Sequence, residues 1–332
     1  TTLVLRIISS FASALMIVGI VGVLDHNEPL TIAVVALCSI SLLFHVLDTF
    51  NYYFQSKYRS KITAIATLIA YASTSVYKVI LLITGASVAW FAFASSVDYI
   101  VLGILLYIFY VTNKGPRLSF SWEKGKALLK QSCHYILSGM MVAIYGQSGK
   151  LVLKQMLDTT AVGYYSTATA ICAMWTFVLQ AIIDSIYPTI LKLKGQDEYL
   201  YERKNKQLYA STFYISIFVS VLFLLLGDFA IRILYGEAYA PAGLPLKIVT
   251  WYTAFSYLGV ARNAWVVCEE KQKYLKYLYI VAAIMNVILN FIMIPHWGAA
   301  GAAAASLITQ IFTSIVLPLF IKGMRRNSIL VL

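Results

Sequence analysis

Six polar side chains stand inside stretches of sequence that are otherwise apolar: Lys78, Asp98, Gln147, Lys150, Lys154 and Arg262. An ionisable group in hydrocarbon costs roughly 3 kcal/mol or more, so such residues face a cavity, reach an interface or pair with one another. Gly139, Ala143, Gly146, Gln147, Lys150 and Lys154 recur at helical spacing and form one stripe, with small residues leaving room and two ammonium groups toward one end. A stripe of this kind suits a cavity wall that attracts anions; the plain alternative is that both lysines snorkel to headgroups. Arg262, beside Asn263, carries a planar fork that fits a phosphate, against snorkelling or a pair with Glu269 or Glu270. Asp98 lies near the middle of its apolar stretch, where it needs a partner or a proton, and is the one deep candidate for ion coupling. Lys78 is offset from Asp98 by about six residues of depth, or ~9 Å, so cavity lining and an internal ion pair are both open.

Other combinations are less productive. His45 and Asp48 stand at i and i+3 without a third ligand, which predicts an interfacial pair and no metal site. Cys38, Cys133, Cys172 and Cys268 form no CxxC and have no His at ligand spacing, so they read as packing residues. Asn286 and Asn290, at i and i+4, read first as hydrogen-bond glue between helices, with ligand contact as the alternative. There is no Ser-His-Asp order, paired intramembrane carboxylate, phosphate loop or nucleotide motif, so the expectation is a protein that is not an enzyme, holds no cofactor and does not use ATP directly.

The elements that must position these residues follow from composition. Of 332 residues, 60% are hydrophobic and only 12% charged, too few polar residues to cover a water-soluble surface. Apolar runs of about 20 residues, enough to cross ~30 Å of hydrocarbon, recur throughout. Ten are expected, at 3–24, 30–50, 62–83, 87–110, 132–156, 160–183, 208–230, 244–267, 275–294 and 299–321. Their continuity demands helices, because barrel strands would alternate in twos. The fold class is therefore an all-α integral membrane bundle.

Lys and Arg of short loops collect on the cytoplasmic side. With ten spans, 20 of the 26 basic residues fall in one set of alternate connections, including Lys57 and Lys61, Lys114 to Lys130, Lys192 to Lys206, Lys271 to Lys276, and Lys322 to Arg326. Only Lys154, Arg232 and Lys247 fall in the other set. Both termini are thus expected in the cytoplasm, and the net charge of +12 is accounted for by orientation and anionic membrane lipids, without nucleic acid. The first span is too long for a signal-peptide core and has no cleavage site before Asp25. The chain begins Thr1-Thr2, which suggests an N-terminally incomplete sequence.

Three longer polar stretches, 112–131, 184–207 and 227–243, are candidate boundaries. The first joins the turn Asn113-Lys114-Gly115-Pro116 to a short basic amphipathic piece starting near Phe120. The expected division is a helical lobe at 1–111, a cytoplasmic linker at 112–131 and a second lobe at 132–332. No loop is large enough for a catalytic domain.

The segment from Ile144 to Ala168, with its short turn and Val162-Gly163-Tyr164-Tyr165-Ser166, resembles the O-antigen and capsule flippase branch of the polysaccharide transporter family, in the multidrug and oligosaccharidyl-lipid exporter superfamily. Ile294-Pro295-His296-Trp297-Gly298-Ala299 is similar to that family's last hairpin, a Pro followed by a Gly-Ala-rich helix start. The resemblance implies twelve helices in two bundles of six, of which this chain would hold four plus six. It further implies alternating-access transport of an undecaprenyl-diphosphate-linked oligosaccharide across the bacterial inner membrane, with possible H+ or Na+ coupling and association with glycan polymerase machinery. Lys150, Lys154, Gln147, Lys78 and Arg262 would then line the substrate cavity and meet its diphosphate or acidic sugars. Relatives often carry an Asp before the basic residue where this chain has Gly149, so a coupling role for that acid does not transfer. Two rivals are a cation-coupled drug or metabolite antiporter of the same superfamily, disfavoured by the excess of intramembrane Lys and Arg, and an integral-membrane glycan polymerase or acyltransferase, disfavoured by short outward loops.

Overall fold

The computed structural model describes residues 1–24, 29–57, 59–116 and 118–331, with side chains at all of these except 24, 55, 56, 60, 131, 133–135, 137 and 138. Asp25, Arg117 and the Cys133 side chain lie outside the described residues. All regular structure among them is helical: α1 (Thr2–Leu24), α2 (Pro29–Phe44), α3 (Asp48–Ser56), α4 (Ser60–Ile83), α5 (Val88–Thr112), α6 (Trp122–Met156), α7 (Thr159–Leu193), α8 (Glu198–Tyr235), α9 (Gly243–Cys268), α10 (Gln272–Ile311), α11 (Leu317–Phe320) and α12 (Arg325–Val331). A 3-10 turn at His45–Leu47 joins α2 to α3, and a π turn at Phe312–Val316 joins α10 to α11.

Seven stretches among the described residues are long and apolar enough to cross a membrane: Thr2–Val23, Pro29–Phe54, Lys61–Ile83, Val88–Thr112, Thr159–Leu193, Glu198–Tyr235 and Gln272–Phe320. The expected spans at 132–156 and 244–267 form helices but fall short of that measure. α6 is diluted by lysines such as Lys150 and Lys154, and α9 by Lys247, Arg262 and Asn263. The seventh stretch has 49 residues. Straight, it would reach ~74 Å, more than twice the hydrocarbon thickness. Instead it folds at Gly298, whose φ of 55° and ψ of −131° leave the helix just after Pro295. Asn286 Nδ2 donates to Thr309 Oγ1 at 3.5 Å although 23 residues separate them. The two limbs of α10 therefore run side by side, as the Pro and Gly-Ala pattern suggested. At Gly301 a Cβ would stand 2.4 Å from the Met293 carbonyl oxygen, so this close approach requires glycine.

Two expected breaks are mostly helix. α7 continues through Pro188 to Leu193 and α8 resumes at Glu198, leaving four residues between them, and α8 runs on to Tyr235. A polar run does not break a helix that has outgrown the bilayer: 35 and 38 residues reach ~53 and ~57 Å, so charged ends project beyond ~30 Å of hydrocarbon. Both starts are capped by acids. Asp158 Oδ1 accepts from Ala161 N at 2.7 Å and Asp197 Oδ1 from Leu200 N at 2.9 Å, caps worth about 1 kcal/mol each.

The chain divides into two compact units, Thr1–Ser132 and Cys133–Leu332, with the division inside α6. In the first, α5 packs against α2 and α4. Phe50, Phe54, Ala66, Leu106 and Tyr110 form its core, and Ser96 Oγ donates across to the Leu37 carbonyl at 2.6 Å.

The second unit contains two apolar clusters. Leu153, Ile171, Ile231, Leu246 and Ala302 gather near the α6–α7 turn. Ile190, Tyr201, Leu208, Trp265 and Met324 gather near the α7–α8 turn. The outside of α8 is a run of exposed Tyr214, Phe218, Leu225 and Phe229, the surface lipid must cover.

Candidate functional site

Within the second unit, a cavity of about 280 Å³ opens between α6, α9 and the two limbs of α10. Tyr145, Tyr252 and Tyr279 give it phenol rings, Asn263 and Gln310 give it amides, and Arg262 gives it the one charged side chain among the described residues. Tyr145 donates to Gln310 Oε1 at 2.8 Å, and Gln310 Nε2 donates to Ser314 Oγ at 2.8 Å.

Arg262 is 2% exposed. Its Nε donates to Asn327 Oδ1 at 3.0 Å and its Nη2 donates to the Ser314 carbonyl, while Asn327 Nδ2 donates to the Tyr209 hydroxyl at 2.6 Å. The Ser314 carbonyl is available for a local reason. The amide that would bond it in a continuing helix belongs to residue 318, and that residue is proline. Arg262 therefore neither snorkels nor pairs with Glu269. Lys194 Nζ takes Glu269 at 2.5 Å and lies 3.7 Å from Glu198. Burial lowers the Lys194 pKa, but the hydrogen bond and charge of Glu269, with Glu198, outweigh it and hold the ammonium above the usual lysine value. Arg326 closes the same end of the unit by reaching Glu198 at 2.8 Å and Glu202 at 2.5 Å, which anchors α12 on α8.

The stripe on α6 is open along most of its length. Gly139, Ala143, Gly146, Gln147 and Lys154 are exposed and Lys150 is half-buried. A Cβ added at Gly139 or Gly146 would meet nothing within 4 Å. The opposite face is packed: at Gly149 a Cβ would touch Ala302 at 3.5 Å and Asn290 Oδ1 at 3.6 Å. There Ser148 Oγ donates to Asn286 Oδ1 at 2.6 Å, and Asn290 Nδ2 donates to Asn286 Oδ1 at 2.8 Å and to Ser148 Oγ at 3.3 Å. These two asparagines bind helices together. Only Gly146 belongs both to the open stripe and to the cavity lining, so the cavity meets the stripe one helical turn from Lys150.

The first unit holds a second cavity, also about 280 Å³, which brings Lys78 and Asp98 together. Lys78 is exposed and Asp98 half-buried, and Thr74 Oγ1 donates to Asp98 Oδ1 at 3.4 Å. No ion pair within 4 Å joins Lys78 and Asp98 among the described residues. His45 Nε2 lies 3.7 Å from Asp48, and His45 Nδ1 is 3.4 Å from Arg6 Nη2. No group of three metal-binding side chains occurs among the described residues.

Sequence reasoning missed Asn327, Tyr145, Tyr252, Tyr279 and Gln310 as site residues. A buried cation without an acid nearby in the chain was the available signal that neutral acceptors had to be found elsewhere.

The family model described as "Polysaccharide biosynthesis protein" matches residues 1–244. A Shigella dysenteriae relative named "Putative O-antigen transporter" is 23% identical over 270 residues, covering 80% of this chain. The chain spans 66% of that relative's length, just under two thirds. Among solved structures, an inward-facing multidrug resistance MATE family transporter of the MOP superfamily matches with a TM-score of 0.75 at 15% identity, over 99% of this chain and 80% of that one. The lipid II flippase MurJ, in an inward closed conformation, matches with a TM-score of 0.73 at 15% identity, over 99% of this chain and 75% of that one. The chain thus shares the multi-pass helical fold of these transporters.

Proposed function

The chain belongs to the polysaccharide biosynthesis protein family, and from that premise we propose that it is a flippase. Its substrate in this reading is an oligosaccharide linked to undecaprenyl diphosphate, an O-antigen, capsule or related surface glycan unit, moved across the bacterial inner membrane by alternating access. Ten spans form two lobes, four helices in 1–111 and six in 132–332, joined by the segment 112–131, with both termini of this chain in the cytoplasm. Gly298 divides the long last stretch into two of those ten.

The observation that carries the reading is the open stripe on α6, where small residues and Gln147 lead to Lys150 and Lys154 in a helix otherwise suited to lipid. Ammonium groups on an uncrowded face suit a diphosphate that must be held and then released. The substrate's lipid tail stays in the bilayer while its head group passes along this face. Asp98, with Lys78 and Thr74 around it, is the place for a coupling proton or sodium ion, since it is half-buried and has no cationic partner within 4 Å among the described residues.

A drug antiporter would share this fold, so the fold does not separate the two; cavity charge does. An organic cation would be repelled by Lys150 and Arg262, and a lipid-linked diphosphate attracted. Transport of fluorescent lipid-linked oligosaccharide into vesicles holding the full-length protein tests this directly. Lys150→Ala should cut the rate at least about tenfold, which is about 1.4 kcal/mol of lost interaction. An unchanged rate, or efficient export of organic cations instead, would remove the proposal.

A further inference from the structure

Arg262 presents a problem of charge that the protein leaves unsolved. Its guanidinium is buried, it lines a cavity, and the two acceptors that hold it among the described residues, the Ser314 carbonyl and the Asn327 amide oxygen, are neutral. No ion pair to Arg262 within 4 Å occurs among the described residues. A buried cation without a counterion is costly, and a ligand anion entering the cavity would supply what is missing.

The rest of the lining narrows the anion. Three tyrosine rings offer flat apolar faces, and Asn263 and Gln310 offer neutral donors and acceptors. A volume of about 280 Å³ is at the small end of ligand cavities, ~300–1,000 Å³, enough for one ring and too small for an oligosaccharide. Glycine at 259 helps to keep that space clear: a Cβ there would point at Gln310 Nε2 and Ser314 Oγ, both at 3.7 Å. Gly146 of the lining is four residues of α6 from Lys150, a rise of ~6 Å. Lys150 can therefore hold a diphosphate while a sugar beside it enters the cavity.

We propose that this cavity is a subsite for a single sugar bearing a carboxylate, a uronic acid within the transported glycan, with Arg262 as its counterion and the tyrosines against its ring. The proposal rests on the glycan-transport reading above and adds to it a chemical class of sugar and the residues that select it.

The test uses purified full-length protein, with sodium glucuronate, glucose and sodium phosphate as probes and thermal unfolding midpoint as the readout. Glucuronate should raise the midpoint saturably, while glucose and phosphate at equal concentration and ionic strength should not. Arg262→Gln should abolish the shift. Because that variant can also disturb folding, Gly146→Leu serves as the second probe. Open space beside Gly146 accepts the new side chain, so the ligand-free midpoint should hold while the apparent Kd for glucuronate rises at least about tenfold. An equal shift with phosphate would make this a general anion site, an equal shift with glucose would remove the role of the carboxylate, and no shift with any probe would remove the subsite; each overturns the proposal. Lys150→Ala lies outside the cavity lining and should leave the glucuronate shift intact while slowing glycan transport. Normal transport in Lys150→Ala beside a retained shift would sink the transport reading and spare the subsite, whereas slowed transport without any glucuronate shift would do the reverse.

Discussion

The two cavities have similar volumes and treat charge in opposite ways. In the first unit, Lys78 and Asp98 share a space, carry opposite signs and leave each other unpaired by direct contact, with Lys78 exposed. In the second, Arg262 is almost wholly enclosed and is fixed by neutral oxygens from residues 52 and 65 positions along the chain. The difference concerns when the charge is satisfied. An exposed lysine beside a half-buried acid leaves both groups open to outside partners. An enclosed guanidinium held by neutral acceptors is positioned before any ligand arrives, and pre-positioning lowers the cost of binding.

The comparison predicts unequal costs. Arg262→Met should be the most damaging change, because the Ser314 carbonyl and Asn327 lose their donor, at about 1–3 kcal/mol for each buried group left unmatched. Thermal unfolding of the purified protein measures it, and a near-neutral result would mean that the guanidinium is not the organising element. Asn327→Ala should come next, at about 1–3 kcal/mol, since it removes one partner from Arg262 and one from the Tyr209 hydroxyl; the same assay applies.

Lys194 gives the scale for a charge that does have carboxylate partners. Its pKa is raised in the folded protein, so its contribution is fully present below the unfolded lysine value of about 10.4 and is lost as pH rises through the higher folded value. The Lys194 side chain is 30% exposed. Solvent screening therefore holds the contribution to under about 1 kcal/mol. A stability profile at alkaline pH on Lys194→Met and the parent protein would isolate it, and the variant should lack that part of the alkaline decline. Asp98→Asn should cost least, within about 0.5 kcal/mol, because the group is half-buried and the one hydrogen bond it accepts among the described residues, at 3.4 Å, is long. Under the transport reading its effect should fall on the transport rate rather than on the unfolding midpoint. If Asp98→Asn destabilised as much as Arg262→Met, the contrast between the cavities would be lost.

Sequence and structure agree most where the hydrophobic effect alone decides. Apolar runs marked the helices, and the Pro295 to Gly298 pattern located the fold-back in α10, where Gly298 takes a positive φ that a helix cannot hold, whereas Pro188 is carried within α7. Agreement fails where length matters more than polarity. The charged run from Asp184 to Gln207 reads as a break yet is nearly all helix, since backbone hydrogen bonds continue after the side chains have left the hydrocarbon. The stripe on α6 was legible because its residues share one helix. The cavity was not, because Tyr145, Tyr252, Tyr279 and Gln310 come from different helices and no spacing rule links them. Arg262 stood out by type alone, while its partners, a main-chain oxygen and an asparagine near the end of the chain, have no local signature.

Pro318 does not hydrogen-bond Arg262, yet it determines which oxygen the guanidinium finds. A residue with an amide hydrogen at 318 could return the Ser314 carbonyl to the helical ladder, and the guanidinium would then compete with the backbone for its own anchor. Tolerance at 318 is consequently tied to the charge at 262, and a survey of variants at both positions should find their effects coupled rather than additive.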